Sequence, residues 1–302
     1  MLRKLLALVL VLGTLGFFIW NSGDTLLTQL RPKFQSTQER KPEVKEKPAL
    51  KGVSFLMIGI DYRPGEAGAR SDSIIYVNMD LNKKMIAALS IPRDTRVWIP
   101  NKREDKINAA YALGGPELLM KTTENLLGVP VREYLETDFA GFVDVVDAVG
   151  GITIDVEKRM YYKDELGTID LHPGVQRLNG RQALGYVRFR HDKLGDIGRT
   201  ERQLKFIQAL GQEMLNPRAI ARAPGLVSKF KQAVKTNLSL GAMIDLVKAL
   251  GSVKQQHIVT QTLPGRFVTI NGISYWGVDP TEAKEVTKKL LQGQVTPEVI
   301  KG

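Results

Sequence analysis

Hydrophobic and polar positions divide the chain into three stretches. An unbroken apolar run, Leu5 to Trp20, stands behind Arg3 and Lys4. A charged stretch with three prolines follows, RPKFQSTQERKPEVKEKPAL at residues 31–50. From Lys51 onward, apolar runs of strand length alternate with patterned runs of helix length. Val53 to Ile60 is nearly continuously apolar and predicts a buried strand. Ser73 to Leu81 and Met85 to Ile91 predict two more, joined as a hairpin through Asn82-Lys83. Helices are predicted over Pro116 to Leu127, closed by Gly128, and over Ala140 to Val149, stopped by Gly150-Gly151. The second carries Phe142, Val145, Val146 and Val149 on one side. Ile152 to Val156 is a short strand.

Asn179 to Val187 predicts a helix with an extended exit through Phe189. Arg199 to Leu215 predicts a longer helix, ended by Asn216-Pro217. Ser239 to Leu250 begins at an N-cap residue type and ends before Gly251. His257 to Leu263 and Arg266 to Ile270 are predicted strands, and Pro280 to Gln292 is a helix capped by Asp279. Strands interleaved with helices give an α/β domain with a central mixed sheet packed on both faces.

The first apolar run spans about 16 residues, between a signal-peptide core and a full membrane span. Extension to Gly23 makes a marginal transmembrane helix ending in an interfacial Trp20. Phe17, Phe18, Ile19 and Trp20 stand where small cleavage-site residues would be needed, so an uncleaved signal anchor is expected. Basic residues stay cytoplasmic, which puts the remainder outside the plasma membrane. The expected organisation is therefore a cytoplasmic tip and anchor over 1–23, an extended tether over 24–50, and an extracytoplasmic domain over 51–302.

Composition adds a net charge of +11 and a pI near 9.7. A basic surface attracts nucleic acid, anionic lipid or acidic wall polymers. An extracytoplasmic body argues against nucleic acid as the partner, and no basic-aromatic array or recognition motif is present. The chain has no cysteine, which excludes disulfides, thiolate chemistry and cysteine-ligated metals. His172, His191 and His257 show no metal-ligand spacing. There is no P-loop and no nucleophile elbow.

Candidate chemistry lies in four short motifs: GIDYR around Asp61 and Arg63, RSD at Arg70 to Asp72, SIPRD ending in Arg93-Asp94, and Tyr186 to Gln203. Guanidinium groups match phosphate geometry with paired, charge-assisted hydrogen bonds. Carboxylates among them suit a hard divalent cation. The set points to a pyrophosphate and to phosphoryl chemistry. Asp61 ends a predicted strand and Asp72 precedes the next, so both can lie at one sheet edge and share a cation. Each alone is equally consistent with a local turn cap. Arg93 follows a proline that fixes the backbone ahead of it; its competing reading is a surface pair with Asp94. Arg188 and Arg190, two apart in an extended segment, would share a face and repel unless an anion neutralises them; the alternative is a strand with one solvated face. Arg199 and Arg202 share a helical face near a helix start, where cations oppose the dipole unless they hold a ligand. Asp196 can orient an arginine or accept a proton from an attacking hydroxyl.

At these residues the chain resembles the LytR-CpsA-Psr family of wall glycopolymer ligases. The matching elements are GIDYR, RSD, SIPRD, the KIN-AAY-GG stretch from Lys106 to Gly115, DAVGGI, and YVRFR followed by D-x-x-R-x-x-RQ. They cover most of residues 53–210. The resemblance implies an α/β/α fold with an apolar tunnel for a polyprenyl chain. It implies transfer of a glycan from an undecaprenyl-pyrophosphate carrier to peptidoglycan through a phosphodiester. It implies Mg2+ or Mn2+ on Asp61 and Asp72, and a pyrophosphate held by Arg70, Arg93, Arg188, Arg190, Arg199 and Arg202, with Lys106 and Gln203 in support. Asp196 or Asp94 would activate the acceptor hydroxyl. Two alternatives use the same residues: hydrolysis of the pyrophosphate by water, and a non-catalytic module that binds polyprenyl phosphate or wall polymer.

Overall fold

A computed structural model describes residues 52–61, 70–80, 82–164, 167–190, 195–214, 233–239, 243, 257–296 and 298–300, with the side chains of Asp61, Arg70, Asp164, Met214 and residues 195–197 outside that description. The expected anchor, the tether, Arg63, His191, the Asn216-Pro217 helix stop and most of the expected helix from Ser239 to Leu250 lie outside the described residues. Among the described residues, no helix is long and apolar enough to cross a membrane.

The central sheet has six strands. They are β1 (Val53–Asp61), β2 (Arg70–Asp80), β3 (Met85–Ser90), β6 (Glu133–Thr137), β11 (Lys235–Thr236) and β12 (Ile258–Thr262), in the order β11-β6-β1-β2-β3-β12. β1 runs parallel to β6, and β3 parallel to β12. β2 is antiparallel to both β1 and β3. The sheet is thus mixed, as the pattern predicts, and β6, β1, β3 and β12 all point their carboxyl ends to one edge. The β2–β3 hairpin turns at Asn82–Lys84, where Asp80 Oδ1 accepts from the N–H groups of Asn82 and Lys83 at 3.0 Å each.

Alternation splits the strand residues between two layers. Leu56, Ile58, Ile74, Tyr76 and Leu89 pack with α1 (Ile107–Leu127) and α5 (Pro280–Leu290). Phe55, Ile75, Val77 and Ile86 pack with Leu204 of α4 (Gly195–Met214) on the other face. Burial of each such aliphatic side chain stabilises the fold by about 1.5–3 kcal/mol. A second cluster lies under the far side of α4. It is built from α2 (Phe139–Val149), β7 (Ile152–Val156), the hairpin of β8 (Met160–Asp164) and β9 (Gly167–Leu171), β10 (Gly174–Leu178) and α3 (Gly180–Arg188).

Several expected boundaries move. α1 begins at Ile107, not Pro116; non-helical Gly114 and Gly115 break it, and Pro116 starts its second half. The glycine pair hides the first half from a periodicity reading. α4 begins at Gly195, four residues before Arg199. Arg188 is the last residue of helix α3, so Arg188 and Arg190 are not neighbours on a strand; only the exit at Phe189 is extended, with φ −58° and ψ 127°. The hairpin of β13 (Arg266–Ile270) and β14 (Ile273–Gly277) adds a strand the pattern did not predict. The short pair β4 (Arg96–Trp98) and β5 (Glu104–Lys106) precedes α1.

Candidate functional site

The motifs converge at the carboxyl edge of β1 and β3. The β1–β2 ladder pairs Gly59 with Ser73 but Ile60 with Ser71, which leaves Asp72 as an extra residue in β2. Such a bulge re-aims a side chain out of the regular alternation. Asp61 pairs with Arg70 at the end of the same ladder. Asp61 thus lies across the ladder from a residue two positions before Asp72.

SIPRD forms a turn after β3. Thr95 closes it by donating from its N–H and from Oγ1 to Pro92 O, at 2.9 and 2.6 Å. The start of α1 docks on this turn: Ile107 N–H donates to Thr95 O and Asn108 N–H to Arg93 O, at 2.8 and 3.2 Å. The KIN segment thus fixes both the turn and Lys106. Arg93 Nη1 then lies 2.5 Å from Asp72 Oδ1, and Lys106 Nζ lies 2.8 Å from Asp94 Oδ1. Arg93 Nε is 3.9 Å from Asp94 Oδ2. Lys106, Asp94, Arg93 and Asp72 form a line of alternating charge with all four side chains half-buried. The Arg93–Asp94 contact is real, but Arg93 also reaches across to Asp72, so it is more than a surface pair.

α4 clamps the bulge from the other layer. Arg199 Nη2 donates to Asp72 O at 3.1 Å, and Ser73 Oγ donates to Gln203 Oε1 at 3.1 Å. Positions 199 and 203 are one turn apart, so a single helical face holds consecutive residues of β2. Arg199 is only 5% exposed, and a buried guanidinium is tolerated where hydrogen bonds compensate desolvation.

Arg202 faces the second cluster. It is 3% exposed and donates through Nη2 to Phe189 O at 2.5 Å, with Nη1 3.5 Å from Glu157 Oε1. It thereby holds the backbone between Arg188 and Arg190. Arg188 stacks over Phe139 at 5.1 Å, while Arg190 is exposed. Burial opposes ionisation of Glu157, but its own backbone N–H, Lys205, Tyr186 and Arg202 outweigh it and hold its pKa below the usual carboxylate value. Tyr186 donates its hydroxyl to Glu157 Oε2 at 3.0 Å, and burial, with Glu157, pushes its pKa up. Sequence reasoning missed Glu157, Phe139 and Ser73, and named Tyr186 only as part of its motif, without a role. No fixed spacing links Glu157 to Arg202; only the fold brings them together.

Asp196 lies in the first turn of α4, where a carboxylate suits the helix dipole. The earlier helix start also places Arg199 and Arg202 beyond that turn, which removes the conflict with the dipole. DAVGGI is structural in its contacts. Asp147 Oδ1 accepts from Gly180 N–H at 2.7 Å, and Gly150 and Gly151 take φ of 91° and 87° to turn from α2 into β7.

Among the described residues, no three acidic or histidine side chains converge as a metal cage. Asp61 and Asp72 have the donor chemistry of a hard-cation site, because magnesium is commonly held by one or two carboxylates plus substrate phosphates and water.

A model of the LytR_cpsA_psr family matches residues 25–292. The polyisoprenyl-teichoic acid–peptidoglycan teichoic acid transferase TagU of Bacillus subtilis is 33% identical over 291 residues, covering 94% of this chain and 92% of TagU. The crystal structure of B. subtilis TagV superposes with a TM-score of 0.71 at 35% identity, covering 82% of this chain and 99% of the crystallised TagV chain. TagT bound to LIIa-WTA superposes with a TM-score of 0.70 at 31% identity, covering 82% and 94% of the two chains. With the motifs gathered at one sheet edge and the match running through almost the whole domain, this chain belongs to the LytR-CpsA-Psr family.

Proposed function

We propose that this chain is a phosphotransferase that moves a glycopolymer from a polyisoprenyl-pyrophosphate carrier onto peptidoglycan, leaving a phosphodiester link. The observation that carries the reading is the Asp72 bulge, gripped by Arg93 in front and by Arg199 and Gln203 behind. A pure anion sink needs arginines; it has no use for a carboxylate aimed into their midst by a distorted ladder. The relatives named as teichoic acid transferases support the same reaction.

In the reaction, the acceptor hydroxyl oxygen attacks the phosphorus that carries the glycan. The bridging P–O bond breaks and polyisoprenyl phosphate leaves with its electron pair. The proton of the hydroxyl passes to a carboxylate at the site, Asp94 or Asp196. Lys106 orients Asp94 from one side. Arg93 and Arg199 meet the negative charge that develops on the non-bridging oxygens, with Arg70, Arg188 and Arg190 completing the cationic rim. Such fixed donors are the main lever for phosphoryl transfer. Arg202 positions the rim through Phe189 O. Asp61 and Asp72 would hold Mg2+ or Mn2+, which supplies positive charge against the diphosphate. The apolar run at 5–20 is the proposed anchor, holding the domain outside a plasma membrane where lipid-linked diphosphates reside.

Arg93→Ala is the test. Transfer of a labelled lipid-linked glycan onto peptidoglycan should fall by about 10²–10³ with the fold retained. Near-normal transfer would overturn the assignment. Product analysis separates transfer from hydrolysis: a phosphodiester on muramic acid supports the proposal, whereas free glycan phosphate alone indicates water as the acceptor.

A further inference from the structure

The C-terminal hairpin extends the site. Thr95 bridges to Trp276 in parallel, and Trp276 N–H donates to Asp94 O at 2.9 Å. Thr95 and Trp276 are buried, so their strand neighbours Arg96 and Tyr275 point to the opposite face. Arg96 pairs with Lys106 and Trp98 with Glu104 across β4–β5, and cross-strand partners share a face. Lys106 Nζ lies 5.8 Å from the Tyr275 ring centre. One continuous face therefore runs from Lys106, whose Nζ holds Asp94, outward to Trp98.

Arg96 and Trp98 of this face border a cleft of about 790 Å³ between β4, the β13–β14 hairpin, α1 and the start of α5. Arg96, Trp98, Asn125, Arg266, Val268 and Glu282 line it. Trp98 is 62% exposed and its ring is open to a ligand in the cleft.

We propose that this cleft binds the acceptor glycan of peptidoglycan and delivers its hydroxyl to Asp94. The inference rests on the transferase reading above and names where that reaction's second substrate lies. A pyranose has an apolar C–H face and a rim of hydroxyl and acetamide groups. The first needs a flat aromatic surface, which Trp98 supplies. The second needs donors and acceptors together, which Arg96, Asn125, Arg266 and Glu282 supply. The charge balance separates this cleft from the arginine site: Glu104, Asp279 and Glu282 outnumber Arg96 and Arg266. A phosphate-rich donor polymer gains nothing here, and a polyprenyl chain would strand these polar groups. Arg96 and Trp98 are two residues apart on β4, about 7 Å, and Arg96 pairs with Lys106, which holds Asp94, so a short run of sugars spans from ring stack to reacting hydroxyl.

The test uses the full chain in detergent with a lipid-linked donor and soluble, uncross-linked peptidoglycan oligomers. Trp98→Ala should raise KM for the acceptor about tenfold, with donor KM and kcat unchanged, and Trp98→Phe should restore most of it. Unchanged acceptor KM overturns the inference; so does a rise in donor KM alone, which would assign the cleft to the donor's glycan. Calorimetric binding of the same oligomers without donor isolates the cleft from catalysis. Arg93→Ala should bind them normally and Trp98→Ala should not. Trp98-dependent binding without any transfer would leave the cleft standing while the transferase reading fails. Equal binding by Trp98→Ala and the unaltered chain would sink the cleft while leaving transfer intact.

Discussion

Glu157 shows how a residue remote from the motifs controls them. It holds Arg202 and Tyr186, and Arg202 in turn holds the carbonyl between Arg188 and Arg190. Because its pKa is depressed in the fold, its stabilisation is present above the ordinary carboxylate range and lost as pH falls through the folded value. Glu157→Gln should lower stability at pH 7 by about 1–2 kcal/mol, and the difference should shrink as pH falls from the ordinary carboxylate range through the lower folded value. Chemical denaturation at stepped pH checks this; a gap that persists at acid pH would assign the effect to packing. The arginine types were legible at this scale because guanidinium chemistry is specific to anions. Their division of labour was not, because burial decides it: Arg199 and Arg202 share a helical face by spacing, yet one clamps β2 and the other serves the second cluster.

At the scale of elements, the turns decide where side chains arrive. A Cβ at Gly151 would stand 2.7 Å from Leu178 O, on backbone with φ +87°. Gly151→Ala should therefore destabilise by about 1–3 kcal/mol from backbone strain alone, read as a lower thermal midpoint. An unaltered midpoint would show that the α2–β7 turn relaxes freely. β1, β3, β7 and α5 were legible because their apolar periods are clean and their stops are Gly or Pro-type signals. The β8–β9 hairpin and β14 were not, since their exposed positions carry aromatics and aliphatics, Tyr161 and Ile273 among them. That mixture blurs the alternation on which a strand assignment rests. The helical start at Ile107 was lost to Gly114-Gly115.

For the whole molecule, the site draws on β1, β2, the turn after β3, and α4, which are separated in sequence and joined only by folding. A ligand that bridges them should stabilise the entire domain, since it binds the folded chain alone. Magnesium with a short polyprenyl diphosphate should raise the melting temperature, by the equivalent of about 2.7 kcal/mol at a hundredfold excess over Kd. Asp61→Asn with Asp72→Asn should abolish the magnesium-dependent part of that rise together with magnesium-dependent transfer. An unchanged metal titration would remove these two carboxylates from the metal site.

The bulge at Asp72 also works as a phase slip. From Ser73 onward β2 keeps the alternation that the two hydrophobic layers demand, with Ile74 and Tyr76 on one side and Ile75 and Val77 on the other. On the other side of the slip, Arg70 and Ser71 keep step with Asp61 and Ile60 instead. One strand thus answers to two timetables, and neither constrains the other. The catalytic end can be retuned for a different diphosphate or glycan without re-threading the core, and the core can be repacked without turning the carboxylate away from its arginines.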